Sequence, residues 1–177
     1  VVWEVAKDAV KTGYMGAGVT FKRLSPNGEE GYPGNLTARV TYVLTDENEL
    51  LVAYAATTDK ATPINLTQHS YFNLAGHQTK DILDHRLTVN ADRYTPVDAT
   101  LIPTGELAPV DGTPFDFRTS TRIGARIADA HEQLKRGLGY DHNWVLKREG
   151  TALPLPARVV EPTTGRTMEI TTTEPGI

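Results

Sequence analysis

Apolar and polar residues alternate along much of this chain, which is the pattern of half-buried β-strands. The clearest pair of such runs is NLTARVTYVL at 35–44 and ELLVAYAATT at 49–58. Alternation puts apolar side chains on one face of each run: Leu36, Ala38, Val40, Tyr42 and Leu44 in the first, and Leu50, Val52, Tyr54 and Ala56 in the second. Because the polar TDEN between them supplies turn residues, the pattern predicts a β-hairpin.

Glycine and proline punctuate the rest of the chain, and short strand-like runs lie between them. These runs are GVTFKRL (18–24), HRLTVN (85–90), HNWVLKR (142–148), ARVVEP (157–162) and RTMEITTTE (166–174). A TTG turn joins the last two.

Only TRIGARIADAHEQLKRGL, at 121–138, has a helical pattern. Its apolar residues fall at helical spacing: Ile123, Ile127, Ala130 and Leu134. Gly137 is a helix stop signal. The whole pattern predicts an all-β sandwich or barrel with one short helix, and 177 residues fit one domain.

Composition narrows the function classes. The formal net charge of −4 gives no reason to expect nucleic acid or an anionic membrane as partner, and no apolar run is long enough to cross a bilayer. A small neutral ligand fits this charge balance better. The absence of cysteine excludes disulfides, zinc–thiolate sites and cysteine nucleophiles, and it favours a reducing compartment, hence a cytoplasmic location.

Histidine spacing gives no support for a metal site. His69, His77 and His85 recur every eight residues, so no pair lies one helical turn apart, and no HExxH motif accompanies them. We therefore expect no metal ion.

The segment NLTQHSYFNLAGH, at 65–77, is unusually polar for a strand that fills a core. In an extended stretch, Gln68 and Ser70 point one way while His69 and Tyr71 point the other. An imidazole beside a phenol can exchange protons and bind a hydroxyl group. The alternative is a hydrogen-bonded core histidine among asparagines that bond turn backbone.

Two further segments can carry polar chemistry. In GYDHNWVL, at 139–146, Asp141 and His142 lie where a glycine-marked loop enters a strand, and Trp144 adds an aromatic face of the kind sugar sites use. The alternative is a turn-stabilising aspartate and a core tryptophan. In TTTEPGI, Glu174 precedes a proline that favours extended or turn geometry, a weak signal alone.

Taken together, six segments resemble the galactose mutarotase (aldose 1-epimerase) family. They are SPNGEEGYPGNL, ATPINLTQHSYFNLAG, RYTPVDATLIPTGE, TPFDFR, GYDHNWVL and TTTEPGI, in that order. The resemblance implies that residues 1–177 form part of a single large antiparallel β-sandwich domain, a mutarotase-like supersandwich with an open sugar-binding cleft. It also implies a cofactor-free reaction that interconverts the α and β anomers of monosaccharides such as galactose and glucose.

The resemblance also implies residue roles. The family's proton-donating histidine falls on His69, and Ser70 and Tyr71 lie in the same ligand-contacting block. Its sugar-binding aspartate falls on Asp141, and Glu174 falls on a position of substrate contact. The family's catalytic base lies beyond the last residue of this sequence, and further family sequence precedes the first, so we expect the chain to be a fragment without its N- and C-terminal parts.

Two other functions stay open. A sister enzyme that acts on a hexose 6-phosphate would need a cationic cluster for the phosphate, for which Arg93, Arg118 and Arg122 are candidates. A non-catalytic sugar-binding protein could use the same scaffold.

Overall fold

The fold is known from a computed structural model, which describes residues 1–6, 16–147 and 155–177. These residues divide into two units, Val1–Ser70 and Tyr71–Ile177. The elements of the first unit are β1 (Glu4–Val5), β2 (Gly16–Ser25), a 3-10 helix (Glu29–Gly31), β3 (Leu36–Thr45) and β4 (Leu50–Thr58).

The first unit is one antiparallel sheet in the order β1-β2-β3-β4. The predicted hairpin is confirmed as β3 and β4, with Val40 opposite Tyr54 and Leu44 opposite Leu50. The turn closes where the Thr45 N–H donates to the Glu49 carbonyl at 2.9 Å. Because the register matches the two predicted apolar faces, both lie on the same side of the sheet.

The second unit holds the remaining elements. They are β5 (Arg86–Val89), β6 (Ala91–Tyr94), β7 (Ala108–Pro109), β8 (Thr121–Arg122), a 3-10 helix (Ile123–Ala125), α1 (Glu132–Gly137), β9 (Trp144–Leu146), β10 (Ala157–Val160) and β11 (Thr167–Ile170). Two antiparallel sheets result, in the orders β11-β10-β5-β8 and β7-β6-β9. The prediction of an antiparallel, almost wholly β protein is therefore confirmed.

Aromatic side chains dominate the core of the second unit. Phe115 and Phe117 are 0% and 1% exposed. The Phe115 ring stacks on Tyr94 with centroids 4.4 Å apart, and Trp144 lies 5.9 Å from the Phe115 ring. The cluster includes residues of β6 and β9, and Tyr140 of the loop that precedes β9 packs against it, so the core supports that loop.

The predicted helix over 121–138 is wrong for most of its length, because only Glu132–Gly137 is α-helical. The backbone before it is engaged elsewhere: the Ile123 N–H donates to the His85 carbonyl at 3.0 Å, and the Gly124 N–H to the Leu83 carbonyl at 2.8 Å. A Cβ on Gly124 would meet Leu83 Cβ at 2.9 Å. Long-range pairing with the start of β5 thus overrides the local pattern.

Two predicted strands are shorter than expected. The 142–148 run forms a strand only over Trp144–Leu146, and the 166–174 run only over Thr167–Ile170; Arg148 lies outside the described residues. The predicted TTG turn joins β10 to β11. That all 177 residues form part of one domain stays a prediction. No helix within the described ranges is long and apolar enough to span a bilayer.

Candidate functional site

The segment that carries His69 has no regular secondary structure, since residues 61–73 form neither helix nor strand. A reciprocal pair of hydrogen bonds orders it: the Gln68 side chain donates to Ser70 Oγ at 2.6 Å, and the Ser70 N–H donates to Gln68 Oε1 at 2.7 Å. The contact agrees with the prediction that Gln68 and Ser70 point the same way; the opposite orientation of His69 and Tyr71 stays a prediction.

Just before His69, the chain lies on the apolar face of the first sheet. An open pocket of about 380 Å³ is found there. Its lining comprises Trp3, Phe21, Val40, Tyr42, Tyr54, Leu66 and Thr67. Since Leu66 and Thr67 belong to this lining, the strand-free segment borders the pocket until two residues before the candidate acid.

The start of the second unit continues the same motif. Tyr71 is 91% exposed. Asn73 stabilises the turn that follows, because its Oδ1 accepts the Ala75 N–H at 3.0 Å. The buried His85 accepts the Leu74 N–H at its Nε2, at 3.1 Å, so this histidine has a structural partner.

The loop that carries Asp141 folds back over the end of α1. Leu138 adopts the left-handed conformation there (φ 53°, ψ 33°), and the Gly139 N–H donates to the Leu134 carbonyl at 2.9 Å. A Cβ on Gly137 would lie 3.1 Å from His142 Cε1 and 3.4 Å from Asp141 Cβ. The glycine therefore admits this loop, which leaves the Asp141 side chain exposed and His142 half-buried.

The His142 side chain contacts both a polar and an aromatic neighbour. Its Nε2 lies 3.0 Å from Gln133 Oε1, and its ring packs edge-on against Phe115 with centroids 4.7 Å apart. Burial lowers the pKa of the imidazole; the Asp141 carboxylate opposes that shift and His131 adds to it. The ring is thus favoured in its neutral form.

The Glu174 motif pairs with the Asp141 motif through the backbone. The Trp144 N–H donates to the Ile177 carbonyl at 2.7 Å, the Ile177 N–H returns a bond at 3.1 Å, and the Leu146 N–H donates to the Pro175 carbonyl at 3.0 Å. In this antiparallel register, Asp141 precedes one end of the paired stretch and Glu174 the other. The backbone pairing brings the two motifs together, but the Asp141 and Glu174 carboxylates lie beyond opposite ends of the paired stretch.

The prediction of a sugar-facing Trp144 is wrong. The side chain is 9% exposed, and its Nε1–H donates to the Phe115 carbonyl at 2.9 Å. Trp144 is a core residue, which was the alternative interpretation.

The sequence model of the aldose 1-epimerase family matches residues 1–177 of this chain. This chain belongs to that family. It is 51% identical to galactose mutarotase of Homo sapiens and 40% identical to aldose 1-epimerase of Escherichia coli (strain K12); each match covers 90% of this chain and 45% of the relative. The chain therefore spans less than half the length of these aldose 1-epimerase relatives.

Solved structures agree with the family. Galactose 1-epimerase from Lactobacillus acidophilus NCFM matches at a TM-score of 0.77 and 34% identity, over 91% of this chain and 45% of that one. An aldose epimerase homologue from C. elegans matches at a TM-score of 0.80 and 30% identity, over 98% of this chain and 49% of that one. The β-sandwich class predicted from the sequence is therefore confirmed at the level of the aldose 1-epimerase fold.

The residues matched to aldose 1-epimerase roles fall in both units. His69 and Ser70 end the first unit, whereas Tyr71, Asp141 and Glu174 belong to the second. Among the described residues, no three histidine, aspartate or glutamate side chains form a group that could hold a metal ion. Sequence reasoning noted His142 beside Asp141 but missed its bond to Gln133, because nothing in the local sequence marks that distant partner.

Proposed function

We propose that the natural protein containing this chain is an aldose 1-epimerase, an isomerase that interconverts the α and β anomers of aldohexoses such as galactose and glucose. The observation that carries the proposal is the family match over all 177 residues. The resemblance of the HSYFNL and GYDHNW blocks supports it, because these blocks hold the residues to which the chemistry is assigned.

Mutarotation is acid–base chemistry. The ring oxygen must gain a proton as the anomeric hydroxyl loses one; the ring then opens, C1 turns and the ring closes. We assign the proton donor to His69, because the resemblance places the family's proton-donating histidine at this position and an imidazole nitrogen can hold and release a proton. We assign the general base to none of the five site residues.

The other four residues are proposed as sugar contacts. The exposed Asp141 carboxylate can accept hydrogen bonds from ring hydroxyls, and Ser70 and Tyr71 offer hydroxyl groups to a ligand. Glu174 directly precedes Pro175, whose carbonyl accepts a backbone hydrogen bond from β9. Its carboxylate can accept a hydrogen bond from a further sugar hydroxyl. The reaction so assigned uses no cofactor, and its partner is a monosaccharide rather than nucleic acid or membrane. The cysteine-free composition supports a cytoplasmic location.

The candidate phosphate-binding arginines are already engaged within the second unit, which supports a neutral sugar over a phosphorylated one. Arg93 donates to a carbonyl, and Arg118 and Arg122 pair with carboxylates. Their partners are Leu107 for Arg93; Asp111, Asp116 and Asp92 for Arg118; and Asp84 for Arg122.

Polarimetry tests the proposal directly. The natural protein, with the flanking sequence that its gene encodes, is added to freshly dissolved α-D-galactose, α-D-glucose or glucose 6-phosphate, and the approach to equilibrium rotation is compared with buffer. We expect acceleration for the two neutral sugars. Acceleration for glucose 6-phosphate alone identifies the sister enzyme, and galactose binding without acceleration identifies a sugar-binding protein; either result contradicts the proposal.

A further inference from the structure

The side chain of Gln133, next to the Asp141 loop, has a fixed orientation. It is 7% exposed and bonds both polar atoms of one residue: its Oε1 accepts the Val97 N–H at 2.8 Å, and its Nε2 donates to the Val97 carbonyl at 3.0 Å. If the amide were reversed, its NH₂ group would face the Val97 N–H and its oxygen would face the Val97 carbonyl. The observed orientation is therefore fixed, and Oε1 faces His142 as an acceptor.

This acceptor determines the tautomer of His142. Since Gln133 Oε1 has no proton to give, the His142 Nε2 at 3.0 Å must carry one. In the neutral ring the other nitrogen, Nδ1, then has a lone pair. The Asp141 backbone N–H donates to that nitrogen at 3.3 Å.

The imidazole ring is held on its other sides as well. Phe115 and Tyr94 contact it edge-on at centroid distances of 4.7 and 6.0 Å, and the Cβ-free Gly137 lies behind it. A chain of fixed groups thus runs from Val97 in the interior, through Gln133 and His142, to the main chain of the exposed Asp141.

We propose that His142 is a positioning residue for sugar binding, which holds the Asp141 main chain through Nδ1 so that the carboxylate is presented to the sugar hydroxyls. This inference rests on the proposed function, in which Asp141 binds the sugar. His142 itself need not touch the sugar or exchange a proton with it.

Three substitutions separate the two nitrogens. His142→Asn keeps a polar atom near the Nδ1 position, His142→Gln keeps one near Nε2, and His142→Phe keeps only the ring. We expect the Phe and Gln variants to raise KM for galactose about three- to tenfold, which is the value of one neutral hydrogen bond, with kcat little changed. The Asn variant restores KM to within about twofold of the unsubstituted protein.

His131 supplies the matched control. Its ring also packs edge-on against Phe115, with centroids 5.6 Å apart. It contacts Gln133 as well, but it accepts the backbone N–H of Gln133 as a helix N-cap and does not bond the Gln133 side chain amide. His131→Asn retains a helix cap, so its KM should not change. An unchanged KM in folded His142→Phe, or no rescue by Asn, would overturn the inference.

A measurement without substitution covers the case in which a variant fails to fold. The 15N shifts of the imidazole in the natural protein distinguish the tautomers: we expect a protonated Nε2 and an unprotonated Nδ1 on His142. The reverse tautomer would overturn the inference even if mutarotation is confirmed. Failure of the proposed function is a separate result, because then the unsubstituted protein itself would not accelerate mutarotation.

Discussion

Replacing Phe115 by alanine should cause a large loss of stability, since this ring is the centre of the aromatic core. It is fully buried and lies parallel to Tyr94, with an interplanar angle of 6°. Tyr140 and Trp144 pack around the same ring, at 5.5 and 5.9 Å. The backbone carbonyl of the residue binds the Trp144 indole, and that bond survives the substitution.

The magnitude follows from these contacts. Truncation of a buried phenylalanine to alanine costs about 3–5 kcal/mol, a total that already includes the loss of aromatic contacts such as the stacked pair with Tyr94. We therefore expect Phe115→Ala to lower the free energy of unfolding by about 4 kcal/mol. Phe115→Leu, which keeps most of the volume, should cost about 1.5 kcal/mol.

Urea unfolding of the natural protein and its variants measures both values. Tyr32→Ala is the control: this aromatic ring is 54% exposed, so its loss should change stability by less than about 0.5 kcal/mol. A Phe115→Ala variant within about 1 kcal/mol of the unsubstituted protein would refute the packing described for the second unit.

Further substitutions test three separate features. Hydrogen bonds from Thr164 and Thr163 lower the pKa of Glu161 from 4.5 to about 2. The stability that the Glu161 carboxylate contributes is therefore complete above pH 4.5 and is lost as the pH falls towards 2. Glu161→Gln should lower Tm at neutral pH with a difference that vanishes in acid; a pH-independent difference contradicts this. Leu138 is left-handed and 95% exposed, so Leu138→Gly should stabilise by about 0.5–1 kcal/mol in thermal unfolding, whereas Leu138→Ala should not. A Cβ on Gly176 would lie 2.8 Å from Asn143 Cγ, so Gly176→Ala should cost about 1 kcal/mol, and Asn143→Ala should remove that cost in a double-mutant cycle; additive effects would count against the contact.

The first sheet was predictable because its information is local. Period-two alternation over ten residues fixes which face is apolar, and a polar turn between two such runs leaves one reasonable pairing. The observed register, with Val40 opposite Tyr54, is the one that aligns the two apolar faces.

The helix at 121–138 was mispredicted because its apolar spacing serves another purpose. Gly124 lies against Leu83, and the backbone at 121–122 pairs with β5. These partners lie some forty positions earlier in the chain, beyond the reach of a local pattern. Only Glu132–Gly137, which the His131 side chain caps at its N-terminus, is α-helical.

The candidate site likewise has features that the sequence predicts and features that only the fold shows. The resemblance names Asp141 and Glu174, but pairing of their two segments through Trp144 and Ile177 is a tertiary fact that the sequence does not contain. Likewise, the role of His142 depends on Gln133, nine residues earlier on α1. Local sequence shows which side chains can act, whereas the fold shows which backbone groups hold them.

The most direct test of the account is the initial rate of α-D-galactose mutarotation, measured by polarimetry for the natural protein and its His69→Ala variant. Removal of the general acid should slow the reaction about a hundredfold or more. His77→Ala, which removes an exposed histidine eight residues away, should leave the rate unchanged. A folded His69→Ala variant that retains the full rate would contradict the assignment of His69 as the proton donor.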